Sequence, residues 1–222
     1  MKLWLAPLLV SLCLSAGLAG AQQTKESQSA LTPDAALTRL KEGNARFAGN
    51  APTSHDWAKS VAATAGGQYP FAAVLSCMDS RVPVEIVFDQ GIGDVFSVRV
   101  AGNVVDDDDL GSLEYAAHVG VKLIVVMGHT KCGAVKGALD DVELGNLTGL
   151  LGKIKPSVSA AKCNDSHADA CVDAVATENV RESMREIRAR SPLLAKDIEA
   201  GKLELVGAIY DVSTGKVTFL SK

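Results

Sequence analysis

The chain has 222 residues and a formal net charge of −4, with 47% hydrophobic and 22% charged residues, a composition that is typical of globular proteins and excludes general disorder. The negative charge and the aromatic content of only 5% argue against nucleic-acid binding, which needs a basic face and stacking aromatics. We therefore expect a protein that acts on a small molecule.

The first 21 residues have the three parts of a secretory signal peptide. Lys2 supplies a positive start, residues 3–18 are mostly apolar, and residues 19–21 (Ala-Gly-Ala) offer a small-x-small cleavage site. Proline and glycine interrupt the apolar stretch and no basic stop-transfer flank follows it, which makes a retained membrane anchor the weaker alternative. We predict cleavage before Gln22 and an exported, periplasmic protein that has no membrane contact afterwards.

A polar segment and two helices are expected next. Residues 22–31 are polar and predict a flexible leader. Thr32 and Pro33 indicate a helix start, because threonine is a common N-cap and proline suits the first helical position. This helix should end near residue 49, and a shorter helix is expected over residues 55–65.

The remaining chain alternates between predicted strands and helices. Strands are expected at 71–76, 94–100, 122–127, 203–210 and 216–220, and helices at 82–89, 109–119, 132–140 and 166–200. Apolar strands that alternate with helices indicate an α/β domain with a mostly parallel sheet, and we expect one such domain over residues 32–222. The acidic run 106–109 is interpreted as a solvated helix start that uses the helix dipole.

Two loops after predicted strands carry metal-ligand residue types. The first contains Cys77, Asp79 and Arg81, and the second contains His129 and Cys132. Ligand sites in open α/β sheets form at the carboxyl ends of the strands, so these loops are expected to meet. Two thiolates and one imidazole suit tetrahedral Zn(II), and three protein ligands leave a fourth position open, as catalytic zinc sites do. The sequence therefore predicts one catalytic zinc ion per chain.

The two loops also carry a resemblance to a known family. CMDSR (77–81) and HTKCG (129–133) are similar to the CxDSR and HxxC signatures of the β-class carbonic anhydrases. The likeness extends through LKEGNARF (40–47), GDVFSVRVAGN (93–103) and GAIYDVSTGKV (207–217), and covers the chain from about residue 32 onward. It implies a parallel sheet flanked by helices, with an N-terminal helical arm, and a homodimer or dimer of dimers.

The resemblance implies both a reaction and roles for the five loop residues. The reaction is the reversible hydration of carbon dioxide to bicarbonate and a proton. Cys77, His129 and Cys132 would bind the zinc ion. Asp79 and Arg81 would form a dyad that orients a zinc-bound hydroxide.

Four further residues match substrate-contact positions of the same family. Gln68 would donate a hydrogen bond to a substrate oxygen, and the backbone amide of Gly133 would face the substrate. Phe96 and Tyr115 match aromatic residues that such dimers lend across the subunit interface. We expect these four residues to surround the zinc site.

The sequence leaves alternatives open at the zinc site. Asp79 can instead become a fourth zinc ligand and close the site. In the branch of the family that bicarbonate inhibits, the position of Val74 often holds tryptophan, so valine here favours the open form. Hydrolysis of carbonyl sulfide or carbon disulfide on the same scaffold is a rival activity. A non-catalytic zinc-binding module with Asp79 as a permanent ligand is a rival of another class.

Two cysteines lie outside the predicted zinc site in the mature chain. Cys163 and Cys171 would lie about 12 Å apart on one continuous helix, which is too far for a disulfide. The turn signal Asn164-Asp165 would let them meet across a corner between two helices. They form either a disulfide or two free thiols, and the expected export favours the disulfide.

Overall fold

The computed structural model describes residues 22–221, so the signal peptide predicted over 1–21 lies outside the described residues. The strands are β1 (Ala72–Ser76), β2 (Val95–Arg99), β3 (Leu123–His129), β4 (Glu204–Tyr210) and β5 (Val217–Phe219). The helices are α1 (Lys25–Ala30), α2 (Pro33–Ala48), α3 (Trp57–Thr64), α4 (Val84–Val87), α5 (Asp107–Val119), α6 (Gly133–Leu139), α7 (Gly145–Gly152), α8 (Lys155–Ala161), α9 (Asp169–Arg190) and α10 (Pro192–Glu199). None of the helices in this part of the chain is both long and apolar enough to cross a membrane.

The five strands form one sheet in the order β2-β1-β3-β4-β5. The first four are parallel and β5 runs antiparallel to β4, which confirms the predicted α/β fold. The chain moves from β1 to β2 on one side and then to β3 on the other, so the strand order reverses between β1 and β3. Ligand sites of open α/β sheets form at such a reversal, beyond the carboxyl ends of the strands.

Alternate residues of the central strands point into two separate cores. On one face Val74 packs in a cluster with Leu40 of α2, and on the other face Leu75 packs in a cluster with Leu113 of α5. All four side chains are fully buried, and burying an aliphatic side chain of this size contributes about 1.5–3 kcal/mol. β1 and β3 are buried along their whole length, which explains their continuous apolar sequences.

The expectation of a flexible leader over residues 22–31 is wrong where α1 forms. Thr24 and Ser27 build a capping box, in which each side-chain oxygen accepts the backbone N–H of the other residue. Gln28 is buried and donates to the carbonyl of Pro70 at 2.7 Å. The polar residues that suggested a loose segment therefore cap the helix and attach it to the domain.

The other helix boundaries follow proline and capping residues. Thr32 caps α2 and Pro33 is its first residue, as predicted. The helical region expected over 166–200 is divided at Ser191, because Pro192 cannot continue α9 and instead begins α10. α7 and α8 were not predicted from the sequence.

Candidate metal centre

Three metal-ligand side chains converge at the carboxyl ends of β1 and β3. Ser76 pairs with Met127, so Cys77, the residue after β1, lies beside the end of β3, whose last residue is His129. Cys132 follows as the N-cap of α6. The ligand atoms of Cys77, His129 and Cys132 lie within 4.8 Å of one another, and all three residues are buried. The structure thus brings the three predicted zinc ligands together.

The two ring nitrogens of His129 have different environments. Nδ1 lies 2.9 Å from the carbonyl oxygen of Thr130, and because a carbonyl only accepts, Nδ1 carries the proton. Nε2 is therefore unprotonated and carries a free lone pair, and it is buried without a hydrogen-bond partner. An unsatisfied buried acceptor costs about 1–3 kcal/mol, whereas a neutral imidazole held through Nδ1 is a common metal ligand.

The thiols of Cys77 and Cys132 interact directly. The hydrogen bond from Cys132 is the largest cause that lowers the pKa of Cys77, and the Gly102 N–H, 3.3 Å from Sγ, lowers it further. The same bond, together with burial, raises the pKa of Cys132. Two cysteine sulfurs, which bind a metal as thiolates, and an imidazole lone pair form the donor set that Zn(II) prefers. The residues present therefore fit zinc.

Asp79 and Arg81 form a forked ion pair next to the cluster. The Arg81 backbone N–H and Nε each donate to Asp79 Oδ1 at 2.9 Å, and Nη2 donates to Oδ2 at 2.7 Å. These bonds lower the pKa of Asp79 to about 2, so the carboxylate is ionised at neutral pH. Asp79 Oδ2 also lies 3.8 Å from His129 Nε2. A fixed carboxylate oxygen therefore stands beside the atom that would bind a metal.

Arg99 supports the first loop and was missed by the sequence analysis. Its Nη2 donates to the backbone carbonyl of Asp79 at 2.6 Å, and its Nε donates to the carbonyl of Cys77 at 3.3 Å. Arg99 ends β2 and pairs in register with Ser76. Aligning the first two predicted strands in parallel would have placed Arg99 beside Ser76 and so could have identified it from the sequence.

Gly102 supports Cys77 from the turn that follows β2. Its φ of +70° lies in the left-handed region, which glycine adopts without steric cost, and a Cβ there would come 2.7 Å from Ile154 Cδ1, so that side chain would have to shift. Asn179 Nδ2 donates to the Gly102 carbonyl at 2.6 Å. This bond holds the peptide group that directly follows the one whose N–H reaches the Cys77 sulfur.

The four predicted substrate-contact residues lie in more open positions than the three buried metal ligands. Phe96 on β2 and Tyr115 on α5 lie together, with ring centroids 5.9 Å apart, and line an open surface groove with Arg99. Tyr115 is 54% exposed. Gln68 lies exposed in the loop between α3 and β1, and Gly133 is the first residue of α6. Among the described residues, no hydrogen bond joins Gln68 to the cluster.

Cys163 and Cys171 form a disulfide in the structure, with their Cα atoms 5.8 Å apart. Cys163 follows the end of α8, and Cys171 lies in the first turn of α9. This is the corner between two helices that the turn signal indicated. The disulfide ties the start of α9 to the end of α8.

Comparison with known proteins gives one consistent family. The family model described as "Carbonic anhydrase" matches residues 72–217, a range that contains every residue of the metal centre. Carbonic anhydrase 2 of Mycobacterium tuberculosis is 42% identical over 193 residues, which cover 83% of this chain and 91% of that protein. The similarity therefore extends over nearly the whole described chain.

Solved structures give the same result. The Coccomyxa β-carbonic anhydrase in complex with acetazolamide is 31% identical, with a TM-score of 0.67 over 84% of this chain and 86% of that one. One of the two tetrameric β-carbonic anhydrases of Sordaria macrospora is also 31% identical, with a TM-score of 0.63 over 71% of this chain and 84% of that one. Both solved structures cover more than two thirds of this chain.

Proposed function

The chain belongs to the β-class carbonic anhydrase family, and from that premise we propose that it hydrates carbon dioxide reversibly through one Zn(II) ion held by Cys77, His129 and Cys132. The observation that carries the proposal is the buried lone pair of His129 Nε2, which lies with two thiol sulfurs inside 4.8 Å. When bound there, zinc supplies Lewis-acid activation of water, whose pKa falls from about 15.7 toward 7 at such ions.

Asp79 would orient the attacking water in this proposal. Its carboxylate is ionised at neutral pH, so it accepts a hydrogen bond and does not donate one. Arg81 holds both carboxylate oxygens from one side, and each oxygen keeps lone-pair capacity for a water molecule. A preorganised acceptor aligns the nucleophile without reorganisation during the reaction.

The forked pair also favours the open form of the centre. For Asp79 to become a fourth ligand, its carboxylate would have to leave charge-assisted hydrogen bonds to Arg81. Arg99 holds the backbone carbonyl of Asp79 at 2.6 Å, which restrains the same loop. These contacts support a catalytic centre over a metal-storage module.

We further propose that Gln68, Phe96, Tyr115 and Gly133 contact substrate within a homodimer or dimer of dimers. Phe96 lies on β2, the end strand of the sheet, and Tyr115 is largely exposed. An edge strand with an exposed aromatic neighbour is suited to pairing with a second chain. The two β-carbonic anhydrases of Sordaria macrospora are tetrameric.

Export to the periplasm is also part of the proposal. The signal-like sequence over 1–21 and the disulfide between Cys163 and Cys171 both support it, because disulfides persist in oxidising compartments. In such a compartment Cys77 and Cys132 would need zinc to protect them from oxidation.

The exchange of Asp79 for asparagine tests the proposed function. Asp79→Asn should keep one zinc per chain, because the three ligands remain, but should lower carbon dioxide hydration about 100-fold, because the oriented acceptor is lost. Zinc content is measured by atomic absorption and hydration by stopped-flow with a pH indicator. Loss of zinc from Asp79→Asn would contradict the proposal, since it would make Asp79 a ligand.

A further inference from the structure

The loop that joins two of the metal ligands has an unusual backbone conformation. Lys131 lies between His129 and Cys132 and has a φ of +56°. Residues other than glycine rarely adopt this left-handed conformation, because their Cβ approaches the following carbonyl oxygen. The conformation therefore persists only where surrounding contacts hold it.

Three contacts hold Lys131, and they differ in kind. Its backbone N–H donates to Asp173 Oδ1 at 2.9 Å. Its carbonyl accepts a longer bond of 3.4 Å from Arg81 Nη2. Its ammonium group pairs with Asp169 at 3.3 Å, and this pair is exposed to solvent. The bond to Asp173 is the short contact that acts on the backbone itself.

Asp173 is itself held in place by the start of α9. The disulfide of Cys171 ties this end of the helix to α8. Val172 and Val175 are buried in the same apolar cluster as the two ligand cysteines. The helix turn that carries Asp173 is therefore anchored covalently and by packing, and it presents a fixed acceptor to the loop.

We propose that Asp173 is a positioning residue of the metal centre, which holds the His129–Cys132 loop in its ligand-ready conformation by accepting the Lys131 N–H. The proposal rests on the proposed function, because it presumes that zinc binds at this loop. Without the acceptor, Lys131 relaxes to a negative φ, and the peptides that carry His129 and Cys132 reorient. Zinc should then leave the site more readily.

The rate of zinc release from the full metal-loaded chain tests the proposal. A chromogenic chelator in excess records release from the original protein, Asp173→Ala, Asp173→Asn and Asp169→Ala. Asp173→Ala should release zinc about tenfold faster, within the range seen when supporting hydrogen bonds of metal sites are removed. Asp173→Asn should stay close to the original rate, because its carboxamide oxygen accepts the same N–H.

Two further variants separate positioning from a general structural effect. Asp169→Ala should release zinc at the original rate, because it removes only an exposed pair on the same residue. Lys131→Gly in the Asp173→Ala background should restore slow release, because glycine adopts a positive φ without steric cost. A merely destabilised α9 would not be rescued by that second substitution.

The outcomes distinguish this proposal from the proposed function. If the original protein binds no zinc, the proposed function fails and this inference fails with it. If the original protein binds zinc but Asp173→Ala releases it at the same rate, or Asp173→Asn releases it as fast as Asp173→Ala, only the positioning role is overturned. If Asp173→Ala does not fold, the double variant Asp173→Ala with Lys131→Gly decides it: a double variant that folds and keeps slow zinc release supports the positioning role, and one that also fails to fold overturns it.

Discussion

The metal cluster and the aromatic groove are neighbouring regions built in different ways. His129 and Cys132 are almost completely buried, and contacts from the chain's own α9 and from the turn after β2 support their surroundings. Phe96 and Tyr115 instead stand in an open groove beside the end strand of the sheet. The difference fits the proposals that one chain supplies all the metal ligands and that a second chain encloses the substrate pocket.

The largest expected effect comes from a substitution inside the metal cluster. Cys132→Ala removes one of three ligands, so zinc should be lost and carbon dioxide hydration should fall to the uncatalysed rate. Atomic absorption and stopped-flow assays measure the two quantities on the same sample.

A double substitution, Cys163→Ala with Cys171→Ala, is the matched control for that experiment. It also removes cysteines, but outside the cluster, so the protein should still bind one zinc and remain active. Loss of the disulfide should lower the free energy of unfolding by about 2–3 kcal/mol, as expected for closure of a loop of this length. If Cys132→Ala still hydrated carbon dioxide, the catalytic metal would lie outside the cluster, and the separate roles of the two regions would be contradicted.

A substitution in the aromatic groove should have a smaller effect of a different kind. Tyr115→Ala should keep zinc but weaken the proposed dimer and lower kcat/KM about tenfold, because an aromatic contact contributes about 0.5–1.5 kcal/mol beyond its buried area. Sedimentation velocity measures the dimer, and stopped-flow measures the rate. Leu193 is another exposed apolar side chain, and its substitution Leu193→Ala should change neither quantity. A Tyr115→Ala protein that lost zinc would show that the two regions are not separable.

The smallest expected effect concerns the helix that carries Tyr115. Asp109 is buried in the first turn of α5, and this burial raises its pKa to about 6. The folded protein therefore binds this proton more tightly than the unfolded chain, so its contribution to stability is fully present below about pH 4 and is lost as the pH rises through about 6.

Asp109→Asn should remove that dependence on pH. The variant should be about 1 kcal/mol more stable than the original at pH 7, with the difference vanishing near pH 4, because its carboxamide still accepts the Asp106 N–H. Urea unfolding followed by circular dichroism measures the difference, and Asp108→Asn at an exposed neighbouring position is the control. An equal gain at both pH values would assign the effect to something other than titration of Asp109.

The sequence allowed the metal ligands to be predicted more completely than the residues that hold the ligand loops in place. Cys77 and His129 follow apolar strands whose parallel pairing could be inferred, so their meeting was predictable. Arg99 and Asp173 act through backbone atoms of distant loops, and no local pattern marks such contacts. The expectation for the acidic run was correct as a helix start, but Asp109 is buried because α5 packs onto the sheet. Packing of this kind is decided by tertiary structure rather than by composition.

We propose that zinc in the Cys77, His129 and Cys132 cluster is the catalytic metal. Titration of zinc into metal-free protein, with carbon dioxide hydration followed by stopped-flow at each addition, tests it most directly. We expect the rate to rise in proportion to bound zinc and to stop rising at one zinc per chain. A protein that binds one zinc per chain but hydrates no carbon dioxide between about pH 7 and 9, near the expected pKa of the activated water, would contradict it.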